Sequence, residues 1–278
     1  MHGKLYLVAT PIGNLDDMTA RAVDTLRSVD VIACEDTRHS RKLLSRYSIS
    51  NKLISYHEHN EAERAAELVQ RIKSGESVAV ITDAGTPGIS DPGYRIVAEA
   101  IGSGIDIVPV PGPAAFVAAA TVSGLATDSI FFGGFLPRRS PERRARLAEV
   151  GAVPATLVFY EAPHRLARAL ADCLTTLGDR RAVIVRELTK IHEETVRGTL
   201  AELAARSDSE QVKGEIVIVI ERGTSGAAAV RSASISETVE KLIKGGLDHK
   251  AALKHAAKEF GLSRSEAYRR LVEEKPRS

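Results

Sequence analysis

Residues Val78 to Gly93 read VAVITDAGTPGISDPG. An unbroken apolar run ends at Asp83, a glycine- and proline-rich loop follows, and a helix is predicted to begin near Asp91. That order sets polar atoms at the carboxyl end of a buried strand, where open α/β sheets bind their ligands. Gly85 and Gly88 let backbone approach a ligand closely or turn through positive φ, Pro87 and Pro92 stiffen the turn, and Asp83 can accept hydrogen bonds from hydroxyl or amino groups. An ordinary strand-to-helix turn explains the same letters, with Asp83 closing an Asx-turn and Asp91 capping a helix that takes Pro92 at its first position. The neighbouring stretches decide between the two.

On the amino-terminal side the same device recurs. KLYLVA (4–9) reads as a buried strand that runs into TPIGNLDDMT and a helix over about 17–28, and VDVIAC (29–34) is a strand with Glu35 and Asp36 at its exit. A basic segment, TRHSRKLLSR, follows, then the short strand KLISY before His57, Glu58, His59 and Asn60, and a helix stopped by Gly75. Beyond Gly93, IDIVPV runs into PGPAAFVAAATVSGL. Buried strand, glycine or proline loop, helix: repeated, this is the signature of a parallel sheet covered by helices. The loops at 10–16, 83–92 and 109–115 are expected to converge on one crevice.

From about Gly124 the texture changes. Strands at 130–135, 155–160, 181–188 and 215–221 alternate with helices at about 141–150 and 164–176, which predicts a second α/β domain. The expected organisation is an amino-terminal α/β domain (1–122), a second α/β domain (123–223), a small-residue linker (224–234) and a helical module (235–278). In that module AALKHAAKEF, a GLS turn and a helix opened by Ser263 with Arg264, Arg269 and Arg270 form a helix-turn-helix-like pattern. A packing module with a solvated basic face fits it equally well.

A formal charge of +2 over 278 residues is too small to imply a nucleic-acid partner by itself, so that argument falls to local clusters. Cys34 and Cys173 alone exclude a disulfide scaffold and a cysteine-rich zinc site, and favour the cytoplasm. The first residues reach proline, glycine and asparagine too soon for a signal peptide. The apolar run Ala114–Ala126 is broken by Thr121, Ser123 and Gly124, so no membrane role is expected. His57-Glu58-His59 lacks a third convincing ligand, so no metal is expected. No loop matches the dinucleotide fingerprint or the Walker phosphate loop, and no spacing supports a nucleophile elbow. Glycine and proline loops without a phosphate cradle suit a ligand without phosphates, such as S-adenosylmethionine. Two basic clusters, one of Arg38, His39, Arg41, Lys42 and Arg46, the other of Arg138, Arg139, Arg143, Arg144 and Arg146, each follow a strand exit. Such runs are commonly solvated helix faces. Here they would rim the crevice and could meet a phosphate backbone.

Together LVATPIGNLDDMT, ACEDTRHSRKLL, SYHEHNE, ITDAGTPGISDPG, PVPGPAAFVAA, FFGGFLPR, FYEAPHRL, RELTKIHEE and GEIVIVIE resemble the tetrapyrrole methylase superfamily, most closely its ribosomal branch, which 2′-O-methylates the ribose of cytidine 1402 in 16S rRNA. The similarity spans Leu7 to Glu221. It implies S-adenosylmethionine folded in a cleft between two α/β domains, a homodimer, and the small ribosomal subunit as substrate. By the same resemblance the cofactor would meet Pro11, then Asp83, Ala84, Gly85 and Thr86 with Ile89, then Ala114 and Ala115. Phe132, Tyr160, Glu161, Gly214 and Ile216 would close over it. Porphyrin-making relatives have a glycine–aspartate pair where this chain has Gly85 and Thr86, a departure that argues against a tetrapyrrole substrate.

A ribose hydroxyl is a weak nucleophile, so an acceptor should take or share its proton. The candidates are Glu35, Asp36, His57, Glu58, Glu161 and Glu187, with Glu58 and Glu187 first to be mutated. The RNA-facing set is Arg38, His39, Arg41, Arg138, Arg139, Arg165, Arg186 and Lys190. Two other readings remain open at this point: a methyltransferase of the same fold acting on a protein side chain or small molecule, and a non-catalytic RNA-binding or ribosome-assembly protein.

Overall fold

The computed structural model describes residues 3–209, 213–223, 235–245, 247–259, 262 and 264–273. The predicted linker at 224–234 and Ser263 lie outside them.

Five short strands, β1 (Leu5–Val8), β2 (Val31–Cys34), β3 (Lys52–Ser55), β4 (Val78–Ile81) and β5 (Ile107–Val110), form a parallel sheet in the order β3-β2-β4-β1-β5. Every residue of β2 and β4 is buried, as expected of central strands covered on both faces. One layer packs Leu68, Ile72 and Ile96 against Leu5 and Val80; the other packs Leu26 and Leu44 against Val8, Ile32 and Ile81. The covering helices are α1 (Ala20–Ser28), α2 (Thr37–Arg46), α3 (Glu61–Lys73) and α4 (Tyr94–Gly102). Thr19 caps α1 by accepting the Ala22 amide hydrogen at 3.1 Å, and Asp36 caps α2 by accepting that of Arg38 at 2.7 Å. Because β4, β1 and β5 are neighbours, the three loops that leave their carboxyl ends must lie side by side. This order positions the site.

The predicted helix over 17–28 is a 3₁₀ turn at Leu15–Asp17 followed by α1. Asp91 does not cap α4. That helix starts at Tyr94 with Gly93 in the cap position at φ 153°. A side chain on Gly93 would press into the Gly88 backbone, its Cβ 2.8 Å from the Gly88 nitrogen, so the cap position takes a glycine and no side chain caps the helix.

α5 (Ala115–Ser123) leads to a second five-stranded sheet ordered β6-β7-β10-β8-β9. Its strands are β6 (Ile130–Phe135), β7 (Thr156–Glu161), β8 (Arg181–Arg186), β9 (Glu194–Thr199) and β10 (Ile216–Ile220). Only β6 and β7 run parallel; the other pairs are antiparallel. All of β10 is buried, and α5 lies on this sheet with Ala119 packed against Val158, Val183 and Val219. Leu147 of α6 (Ser140–Val150), Leu170 of α7 (Leu166–Leu177) and Leu203 of α8 (Leu200–Ser209) are buried as well. β9 and α8 were not foreseen. β9 reads ETVRGT, a half-buried edge strand with no apolar run to announce it.

Both sheets belong to one compact unit, Met1–Gly151 with Ala155–Glu221, and a second unit comprises Ala152–Pro154 with Arg222–Ser278. The expected boundary at 122/123 falls at the end of α5, between two sheets that share that unit. In the second unit α9 (Ile235–Lys244), α10 (His249–Glu259) and α11 (Arg264–Glu273) bury Val239, Leu253, Ala256, Ala267 and Leu271 together. No helix among the described residues is long and apolar enough to cross a membrane.

Candidate active site

A cavity of about 380 Å³ opens at the carboxyl ends of β4, β1 and β5. Small-molecule sites commonly span roughly 300–1,000 Å³. From the first sheet it is lined by Ile12, by Ala84, Gly85, Thr86, Ile89, Ser90 and Asp91, and by Ala114 and Ala115. The second sheet contributes Phe135, Tyr160–Pro163, Leu188 and Gly214–Val217. The walls are thus mostly backbone and apolar side chains.

The loops are sewn to one another. Thr10 and Gly85 exchange both backbone hydrogen bonds, at 2.8 and 3.1 Å, and the Thr10 hydroxyl donates to the Thr82 carbonyl at 3.1 Å. The Thr86 hydroxyl donates to the Pro113 carbonyl at 3.2 Å, so the third loop is tied to the second. Gly85 sits at φ 88°, a conformation that side-chain-bearing residues adopt only under strain. Across the cavity, the Asn14 amide donates to the Thr189 hydroxyl at 3.0 Å, and the Phe116 amide donates to the Tyr160 hydroxyl at 3.2 Å. Fixed donors and a fixed floor mean that little has to be ordered when a ligand enters.

Of the residues expected to touch a cofactor, Ala84, Gly85, Thr86, Ile89, Ala114, Ala115, Tyr160, Glu161, Gly214 and Ile216 all line the cavity. Three do not. Pro11 is buried behind Ile12, the residue that faces the space. Asp83 turns back toward β2, where one carboxylate oxygen lies 3.3 Å from the Asp36 amide that donates to it. Phe132 is stacked on Phe116 at 4.5 Å and packed into the core, while Phe135 takes its place at the cavity. The register of β6 against β7 shifts between Phe132 and Phe135, and this shift defeats the alternation from which an inward residue would be chosen.

The two carboxylates singled out as proton acceptors are placed elsewhere or otherwise employed. Glu58 is exposed on a turn and does not line the cavity. Glu187 accepts the Glu215 amide hydrogen at 3.0 Å and a hydrogen from the Lys190 ammonium at 3.0 Å, and these bonds hold its carboxyl below the ordinary range. It braces the lip of the cavity: a Cβ on Gly214 would lie 2.3 Å from Glu187 Oε1. Glu161 is buried, which pushes its carboxyl up, against the opposing pull of its own loop amide at Ala162 and of Arg165.

The basic clusters divide in two. Arg38, His39, Arg41, Arg138 and Arg139 are exposed. Arg165, Arg186 and Lys190 are committed internally: Arg165 donates to Glu161 at 3.2 Å, Arg186 to Glu194 at 2.5 Å, and Lys190 bridges Glu187 and Glu215. Arg143 is buried and donates to Asp172 at 2.8 and 2.6 Å, so it belongs to the core rather than to a rim.

Asp91, read from the sequence as a cap, faces the cavity instead. It is half-buried, and no side chain among the described residues donates to it. Burial, reinforced by the negative charges of Glu35 and Asp83, pushes its carboxyl up to about 7. Glu35 is pushed up in turn by burial and by Asp83.

The family model of tetrapyrrole (corrin/porphyrin) methylases matches residues 4–204. A protein of Mesorhizobium japonicum named ribosomal RNA small subunit methyltransferase I is 49% identical over 99% of this chain and 93% of its own length. The Halalkalibacterium halodurans protein of the same name is 45% identical over 96% of this chain and 93% of its own length. Among solved structures, uroporphyrin-III C-methyltransferase of Thermus thermophilus complexed with S-adenosylhomocysteine superposes with a TM-score of 0.57 at 21% identity. That superposition covers 79% of this chain and 97% of that one.

Proposed function

This chain belongs to the tetrapyrrole (corrin/porphyrin) methylases, and from that premise we propose that it is an S-adenosylmethionine-dependent methyltransferase that 2′-O-methylates the ribose of cytidine 1402 in 16S rRNA of the small ribosomal subunit. The observation that carries the reading is the near-full-length identity to proteins named for small-subunit rRNA methylation, in a chain whose three sewn loops enclose a cleft of the right size.

The residues present fit the cofactor. An adenosyl group needs apolar walls and exposed backbone, which Ala84–Thr86, Ala114, Ala115 and Ile216 supply, and a positive-φ glycine lets the main chain come close. Bound there, S-adenosylmethionine supplies an electrophilic methyl group. What the protein adds is mainly alignment of the ribose oxygen with that methyl, and positioning of this kind is worth on the order of 7–11 kcal/mol. Phe135, more than half exposed at the cleft, offers an aromatic face for an unstacked base. Arg138 and Arg139 follow it in the chain, and with Arg38, His39 and Arg41 they form the set that meets RNA phosphates. Arg165, Arg186 and Lys190, spent on carboxylates, leave that set. The reading extends to a homodimer acting in the cytoplasm on 16S rRNA within the small ribosomal subunit.

The test is methylation of isolated small ribosomal subunits with labelled cofactor, followed by mapping of the nucleoside. Label recovered as 2′-O-methylcytidine at position 1402 supports the proposal. Label on a base or on protein overturns the substrate, and no incorporation together with no cofactor binding overturns the activity.

A further inference from the structure

Moving a methyl group onto a ribose hydroxyl leaves a proton to be removed. We infer that Asp91 is the general base that takes it. The inference rests on the methyltransferase reading above and adds to it a residue whose role the cleft geometry singles out.

The other acidic groups near the cleft are each unsuited. The Asp36 carboxylate is spent on the first turn of α2 and Glu187 on the Glu215 amide and Lys190, while the Glu215 carboxylate, which also lines the cavity, is 73% exposed and paired with Lys190 at 3.2 Å. Glu161 is 2% exposed, with Arg165 and its own loop amide already on its oxygens. Glu35 and Glu58 stand outside the cavity lining. Asp91 lies in that lining, is half-buried, and carries no donor on its oxygens among the described residues, so both oxygens are open to a proton from a bound hydroxyl.

The groups that face it are Glu35 at the exit of β2, Asp83 at the exit of β4 and, from the second sheet, Tyr160 on β7. Partial burial, reinforced by two negative charges, raises its proton affinity with no cation to offset them, which places the carboxyl at about 7. A base works best with a proton affinity matched to the operating pH, because it must be unprotonated before the step and still attract the proton during it. Glu187, held low, fails the second condition.

In the step, the hydroxyl oxygen's lone pair forms the bond to the methyl carbon while the carbon–sulfur pair returns to sulfur, and the hydroxyl proton passes to an Asp91 oxygen. One sulfonium and one carboxylate are replaced by one neutral thioether and one carboxylic acid, so charge and atoms balance. Neutralising two opposite charges in a partly buried site also favours the forward direction.

The experiment compares wild type, Asp91→Asn and Asp91→Glu on small ribosomal subunits in single-turnover methylation, with cofactor and RNA affinities measured separately. Asp91→Asn should slow the chemical step by on the order of 10²–10⁴-fold while both affinities keep their wild-type values, and Asp91→Glu should recover part of the rate. The wild-type rate should climb with pH through a midpoint near 7, and that climb should vanish in Asp91→Asn. Independently of activity, a carbon-13 carboxyl titration of wild type against Asp91→Asn should show one resonance with a midpoint near 7. An unchanged rate in Asp91→Asn, or a surviving pH climb, overturns the inference. So does a carboxyl that titrates in the ordinary range, or a variant that loses cofactor affinity, which would make Asp91 a cofactor ligand. If wild type itself neither binds cofactor nor methylates, the underlying reading fails instead.

Discussion

At the scale of single residues, Asp91 makes stability depend on pH with a definite sign. Its carboxyl sits at about 7 in the folded protein against an ordinary 3.8, so between those values the folded chain holds a proton that the unfolded chain has released. Stability therefore falls as pH rises through that window, and above about 7 the charged side chain is a standing cost. Asp91→Asn should raise the thermal midpoint at pH 8, and the gain should shrink as pH falls toward 4, which scanning calorimetry at several pH values checks. Phe135 carries a second expectation. Phe135→Ala should raise the KM for the ribosomal substrate by roughly ten- to a hundredfold if a base stacks there at about 1–3 kcal/mol, with cofactor affinity little changed. Neither residue was legible in the sequence. Asp91 takes its character from burial in the cleft, reinforced by Glu35 and Asp83, which only the sheet order brings near it, and Phe135 replaces Phe132 because Gly133 and Gly134 break the strand alternation.

At the scale of elements, apolar runs announced the strands of the first sheet, most plainly β2 and β4, because strands buried on both faces cannot hide their composition. β9 was missed for the converse reason: an edge strand of mixed polarity carries no such run. The antiparallel course of most of the second sheet was equally invisible, since local periodicity reports burial but not direction. The arginine-rich α6 shows how charge runs mislead. Arg143 anchors that helix to α7 through Asp172, whose side chain is only 11% exposed, while Arg138 and Arg139 are exposed, the latter 3.6 Å from Glu142 in a surface ion pair. Asp172→Ala should cost about 3–5 kcal/mol in denaturant unfolding, because it leaves a buried guanidinium unpaired. Replacing Arg138 and Arg139 together by alanine should leave stability unchanged, weaken RNA binding and flatten its salt dependence by up to about two released counterions. Unchanged RNA affinity would remove that pair from the proposed interface.

At the scale of the whole molecule, the account turns on loops from two sheets meeting in one cleft. The first sheet puts the exits of β4, β1 and β5 side by side, and backbone pairing between Thr10 and Gly85 locks two of them. Thr86 and Pro113 lock the third. The second sheet supplies the opposite wall through Tyr160 and Gly214–Val217, with Glu187 bracing the lip. Convergence of the three loops was expected from their shared position after strands; the strand order that enforces it was not written in any one segment. The claim that this cleft is a methyl-donor site is met most directly by titration calorimetry with S-adenosylmethionine on wild type and on Gly85→Val, a substitution that puts a branched side chain at φ 88° beside Ile12. Wild type should bind saturably at one site per chain and the variant at least tenfold more weakly, a loss of about 1.4 kcal/mol or more. No heat of binding to wild type, or equal binding to both proteins, would contradict it.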